Sequence, residues 1–255
     1  MRQHSSTNSI QKVCRILKIL STPQPLRLTD ISEASGINKA TALRLLDTLI
    51  EEGFVARDER KKLYTLGDES ATLGIAMHGR NHIRNRARSA LLRLADMSGD
   101  TVLLSTRSGC EVVCVDREFG NFPIRANYLD VGMRRPLGIG AGALAVLAWL
   151  PDEEVDSILE LNKPALSRNY PRISIDLIKE HVHRSRELGY AMLLNVVVDQ
   201  MGGIAVPIFG TDGRPYAALS IAALTQRIES RKEQLVAAMK KETQELSGSD
   251  GQIER

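Results

Sequence analysis

Six residues near position 40 have the types and spacing to read a polyanion. Asn38, Lys39, Ala40, Thr41, Arg44 and Thr48 fall on one side of a helix turning about 100° per residue. Ala42, Leu45, Leu46, Leu49 and Ile50 fall on the other. The chemistry on offer is recognition rather than bond-making. Lys39 and Asn38 sit at the helix start, where backbone amides and the helix dipole favour a phosphate. Small Ala40 and Thr41 permit close approach to base edges or a thymine methyl, and the planar fork of Arg44 matches guanine O6 and N7. A surface helix whose polar face meets only water would show the same pattern, so this helix alone does not separate the two readings.

The flanking elements separate them. Ile10, Val13, Cys14, Leu17 and Leu20 recur at helical spacing and predict a first helix from Ser9 to Ser21, stopped by Pro23 and Pro25. Thr29 is the expected N-cap of a second helix, Asp30 to Ser35, with Ile31 and Ala34 turned inward. Gly36 ends it, and Asn38 caps a third helix, Lys39 to Glu52. A short helix, a glycine turn and a longer helix form a helix-turn-helix. Two β-prone runs, Gly53–Arg57 and Leu63–Gly67, then flank a charged loop. They predict a hairpin, the wing, whose tip presents Arg57, Arg60, Lys61 and Lys62 to phosphates or a minor groove. Three helices and a wing favour double-stranded DNA as the partner.

Charge agrees with this. The net charge of +3 over 255 residues hides an asymmetry, because residues 1–95 carry 16 Lys or Arg against 9 Asp or Glu. A basic N-terminal third suits a polyphosphate partner. A chain of this length predicts two domains. We expect a winged helix-turn-helix over residues 1–70, a linker helix region over 71–98 and a sensor domain over 99–250. The longest apolar run, Leu137–Leu150, is shorter than the roughly 20 residues of a membrane span. With no signal-like N-terminus, a cytoplasmic protein is expected. Cys14, Cys110 and Cys114 match no disulfide or zinc spacing and are read as reduced core thiols.

Beyond a basic segment, Gly79–Arg88, that reads as helical, the period shifts toward strands. Thr101–Thr106 and Cys110–Arg117 predict a hairpin with Cys110 and Cys114 on one face. Helices are expected from Gly140 to Leu150, from Pro151 onward, and over Ser174–Leu188. Strands follow at Tyr190–Val197, Gly203–Phe209 and Pro215–Ala223, then a last helix at Glu229–Leu246. Hairpins with helices on one side predict an α+β fold. Gly138–Gly142 lacks the Gly-Lys-Ser/Thr of a P-loop, and His181 and His183 lie about 200° apart around a helix, unable to share a metal. No Gly-x-Ser-x-Gly elbow is present. These observations argue against an enzyme, a metal or a bound cofactor. The rival classes are a winged helix that binds another protein, and an enzyme with an accessory DNA-binding domain.

Several landmarks in order resemble the IclR-type transcriptional regulators: Leu28–Ile31, Ser35–Thr41 leading into Arg44–Leu49, Glu52–Val55, Arg135–Leu137, Gly189–Ala191, Gly203–Ile208 and Ala217–Ile221. The resemblance implies a GAF-like sensor domain, a homodimer or tetramer, and a linker helix in which Arg80, Arg84, Arg86 and Arg88 serve either DNA or solvent. It also implies an effector held between the helix after the Pro-Leu motif and the last strands, by helix-start amides, an acidic residue, a cysteine and two serines. The helix-start positions fall on Gly140, Ala141 and Gly142, and one serine on Ser220. The acidic position falls on Leu193, the cysteine on Gly203 and the second serine on Ala222. With those polar groups gone, a larger and more apolar organic acid, such as an aromatic acid, is expected in place of a small keto-acid.

Overall fold

The computed structural model describes residues 8–22, 24–78, 83–126 and 129–247. Pro23, Arg80 and the rest of segment 79–82 lie outside the described residues. The chain divides into two compact units, Met1–Arg80 and Asn81–Arg255.

The first unit opens with α1 (Ser9–Leu20). The Asn8 side chain accepts a hydrogen bond from the Gln11 amide at 2.8 Å, and Gln11 returns one from the Asn8 amide at 3.1 Å, closing both ends of the first turn. Val13, Leu17 and Leu20 of the expected stripe join the core together with Ile16, while Ile10 and Cys14 do not. Ile10 is 73% exposed, and Cys14 is exposed rather than a core thiol. The cause is reach: α1 packs on α2 (Leu28–Ser35) and the wing strand, and its first turn stays exposed among the described residues.

β1 (Leu26–Arg27) runs straight into α2, so that helix begins before Thr29. The Asp30 carboxylate accepts the Arg27 amide at 2.9 Å, and Arg27, not Thr29, stands at the N-cap. On α2 the inward pair is Ile31 and Ser35, while Ala34 is exposed. A hydroxyl suits that buried place because Ser35 Oγ accepts the Ile37 amide at 3.2 Å and donates to the Ser32 carbonyl. Gly36 turns the chain at φ +67°, a conformation open to glycine at little cost. α3 (Lys39–Glu51) follows. The wing is β2 (Val55–Asp58) and β3 (Leu63–Leu66), antiparallel, with β1 on the free edge of β3. One core joins Ile16, Ile31, Leu46, Leu49, Val55 and Tyr64. α4 (Asp68–His78) completes this unit.

The second unit begins with α5 (Ile83–Ser98) and centres on a six-stranded antiparallel sheet. The strands are β4 (Thr101–Ser108), β5 (Glu111–Phe119), β6 (Arg134–Pro136), β7 (Ala191–Leu194), β8 (Met201–Phe209) and β9 (Pro215–Leu224). They lie in the order β6-β5-β4-β9-β8-β7. The helices are α6 (Ala141–Ala148), α7 (Asp152–Asn169), α8 (Ile175–Leu188) and α9 (Thr225–Leu246). They cover both faces of the sheet, not one. α5 and α9 pack on Ile204, Ile208, Leu219 and Ile221, whereas α6, α7 and α8 pack on the reverse side with Ala205 and Ala218. Strand alternation makes this possible, because successive residues of β8 and β9 point to opposite faces.

β7 stops at Leu194, well short of Val197, because Asn195 takes a positive φ of 60°. Cys110 lies in the turn between β4 and β5, half-buried, so it does not share a strand face with Cys114. Cys114 is buried, and burial pushes its thiol up to about 12. Glu154 of α7 pairs with Arg107 and Arg214, tying the two hairpin turns β4–β5 and β8–β9 to one carboxylate. Among the described residues no helix is long and apolar enough to cross a membrane, and no cluster of His, Cys, Asp or Glu could hold a metal.

Candidate functional site

Two groups of residues were expected to bind ligands, one in each unit. On α3, Ala42, Leu45, Leu46 and Leu49 are buried and Ile50 is half-buried. That fixes the roll of the helix and turns Lys39, Ala40, Arg44, Asp47 and Thr48 to the exposed side. Thr41 is half-buried. Asn38 is exposed, but its side chain is committed to the cap, accepting the Thr41 amide at 2.9 Å. Thr48 donates its hydroxyl to the Arg44 carbonyl at 3.2 Å, leaving an oxygen and a methyl outward. Lys39 and Arg44 form no salt bridge among the described residues. Leu43, 37% exposed, adds an apolar group to the same face, which the reading by polarity did not include.

The wing differentiates its cations. The Asp58 carboxylate accepts the amides of Arg60 and Lys61 at 2.9 and 3.0 Å. These bonds, that from Lys61 first, hold its carboxyl below the usual value and fix the tip. Glu59 then pairs with Arg57 at 3.5 Å and Lys62 at 3.2 Å. Arg57 also lies 5.5 Å from the Tyr64 ring centroid. Lys61 and Arg60 are exposed and form no salt bridge among the described residues. Of Arg57, Lys61 and Lys62, Lys61 is therefore the one best placed to meet an external anion.

The arginines that open α5 face their own unit. Arg84 and Arg88 each approach Asp116 at 3.7 Å, Arg88 pairs with Glu118 at 2.5 Å, and Arg86 donates to the Leu246 carbonyl at 2.8 Å. These contacts fasten the helix to β5 and to the end of α9.

In the second unit the seven positions carried over from the family pattern come together. Gly140, Ala141, Gly142, Leu193, Gly203, Ser220 and Ala222 all line one cavity of about 50 Å³. It lies between the start of α6 and strands β4, β7, β8 and β9. Small residues let the start of α6 approach the sheet closely. A Cβ on Gly203 would stand 3.0 Å from that of Ala141, and one on Gly142 would stand 3.3 Å from Ser220 Oγ. Leu103, Leu129, Val196, Val197 and Met201 make most of the remaining wall apolar.

Sequence reasoning missed two polar members of this wall, Ser105 and Arg135. In the sequence Arg135 belongs to the landmark Arg135–Leu137. Nothing in the sequence separates it from the adjacent Arg134.

The family described as "IclR helix-turn-helix domain" matches residues 9–59, and that described as "Bacterial transcriptional regulator IclR C-terminal" matches residues 75–248. The HTH-type transcriptional regulator XynR of Escherichia coli is 30% identical over 224 residues, covering 86% of this chain and 88% of its own. Among solved structures, an IclR transcriptional regulator from Alicyclobacillus acidocaldarius superposes with a TM-score of 0.76 at 26% identity, covering 97% of this chain and 100% of its own. An IclR homologue from Microbacterium hydrocarbonoxydans, complexed with 4-hydroxybenzoate, shares the fold, with a TM-score of 0.71 at 21% identity, covering 94% of this chain and 98% of its own.

Proposed function

The chain belongs to the IclR family of bacterial transcriptional regulators, DNA-binding proteins rather than enzymes, and from that premise we propose how its two units divide the work. Residues 1–70 read operator DNA, residues 71–98 link, and residues 99–250 bind a small organic acid. The observation that carries this reading is the roll of α3. Its apolar side is buried, while Lys39, Ala40, Arg44 and Thr48 stand outward with Asn38 and Thr41 at the helix start.

In this reading Arg44 contacts a base edge, Lys39 and the helix-start amides meet a phosphate, and Lys61 with Arg57 and Lys62 reaches the flanking backbone. A homodimer, or a dimer of dimers, places two such helices in successive major grooves of a palindromic site. The protein acts in the cytoplasm, where that DNA lies. The seven small or apolar cavity residues support an effector larger and more apolar than a keto-acid. That a neighbour of the same fold holds 4-hydroxybenzoate makes aromatic acids the first class to try. Binding shifts operator affinity by about 1 to 3 kcal/mol, the usual size of such coupling.

The test is a gel shift on DNA upstream of the gene and its divergent neighbours, with acids added and salt varied. Arg44→Ala should lose about 1 to 3 kcal/mol against one base pair and relax the preference there. Loss spread evenly over all operator sequences would make Arg44 a phosphate clamp, and duplex binding that ignores salt would overturn the DNA assignment.

A further inference from the structure

We propose that Asp47 determines operator specificity by accepting a hydrogen bond from the amino edge of a cytosine in the major groove. This rests on the reading of α3 as the operator-reading helix, and it sets one acceptor among the donors of that surface.

The exposed face of α3 changes sign along its length. Lys39 and Arg44 give its first half two cations, whereas Asp47, Glu51 and the C-cap residue Glu52 stand exposed in its second half. Helix stability does not account for that order. The negative end of the helix dipole lies toward Glu52, where carboxylates are disfavoured, and no basic residue occupies the last turn to offset them.

Asp47 is the first carboxylate met along the helix and the one nearest the end that a helix-turn-helix inserts. At about 100° per residue it falls roughly 20° around the helix from Ala40 and roughly 60° from Arg44. These three residues therefore share the middle of the exposed face. Arg44 stands three residues before it, yet no hydrogen bond or ion pair joins the Asp47 carboxylate to another side chain among the described residues. Leu43, 37% exposed, lies one turn before Asp47 and offers it no polar partner.

An ionised carboxylate only accepts hydrogen bonds. Phosphates repel it, and so do the acceptor edges of guanine and of thymine O4, while adenine sets the N7 acceptor beside its amino group. Cytosine alone shows the major groove an amino donor with no acceptor of its own. A carboxylate carried into the groove opposite any other base loses its water without compensation. Asp47 thus selects chiefly by penalising wrong sequences.

The full-length protein, Asp47→Asn and Asp47→Ala should each be used to select duplexes from a randomised pool, and affinities for the selected sequences measured by fluorescence anisotropy. We expect the unaltered protein to prefer cytosine at one position by roughly tenfold. Asp47→Asn keeps the size but presents an acceptor beside a donor, the pattern that matches adenine N7 and N6, so the preference there should turn to adenine. Asp47→Ala should level that position alone and bind random duplex more tightly, since a charge opposed to the phosphates is gone. Circular dichroism checks that both variants fold. The cytosine preference of the unaltered protein needs no variant, and its absence from the selected sequences would overturn the assignment. Folded variants that select the same sequences as the unaltered protein would overturn it too, leaving α3 as the operator reader. Enrichment of no sequence by the unaltered protein would remove the operator reading and this assignment with it.

Discussion

The two units present their candidate residues in opposite ways. In the first, Lys39, Arg44 and Lys61 stand on outer faces of a helix and a hairpin, with the core behind them. In the second, Gly140, Gly142, Gly203 and Ala222 line a cavity, and the glycines contribute by letting Arg135, Ser220 and Ala141 come close. An exposed reader gains specificity by adding groups, and a cavity gains it by withholding them. Deleting a side chain should therefore damage the first site, and adding one should damage the second.

The largest test of that contrast attacks the core behind α3. Leu46→Ala should cost about 2 to 5 kcal/mol, because Leu46 is fully buried among Ile16, Ile31 and Tyr64. Chemical denaturation should show an early transition for residues 1–80 and loss of operator binding, with acid binding in the second unit retained. A single transition moving as a whole would break the picture of two separately stabilised units.

A smaller effect belongs to the second unit alone. Two arginines hold the Glu154 carboxyl below its ordinary 4.5, Arg107 most strongly and then Arg214. A depressed value means that the stabilisation is full above the ordinary value and is lost as pH falls through the lowered one. Glu154→Gln should then destabilise the second unit by roughly 1 kcal/mol near neutral pH. Thermal melts should show that difference shrinking once the pH is taken well below 4.5. A difference that persists in acid would mean that packing, not charge, makes the contact.

The smallest effect leaves stability untouched and reads exposure directly. In the native protein at neutral pH a thiol reagent should label Cys14 fast. Cys114, buried and with its thiol at about 12, should wait for unfolding. Equal rates would contradict the placement of both.

What the sequence made legible was local. The Asn38 cap, the Gly36 turn, the wing and the roll of α3 depend on side chains within a few residues, and each appears as expected. What escaped depends on distant partners. Ile10 and Cys14 fit a helical stripe, yet both are exposed among the described residues. Ala34 lost the inward place to Ser35 because a serine there satisfies two backbone groups. β1, two residues long, exists only by pairing with Tyr64 and Leu63. In the cavity, alignment with the family pattern supplied the seven positions. Arg135 needed the fold, since a strand of three residues at a sheet edge gives no periodic signal to say which way its middle side chain points.

β9 (Pro215–Leu224) has one side turned to each layer. Its Ser220 and Ala222 border the cavity, while Leu219 and Ile221, interleaved with them, are clamped against α5 and α9 on the reverse side. Tenant and landlord thus share a partition one strand thick. Because a close-packed interior does not absorb displacement locally, whatever leans on that partition from within is felt by the helix that leads away on its far side.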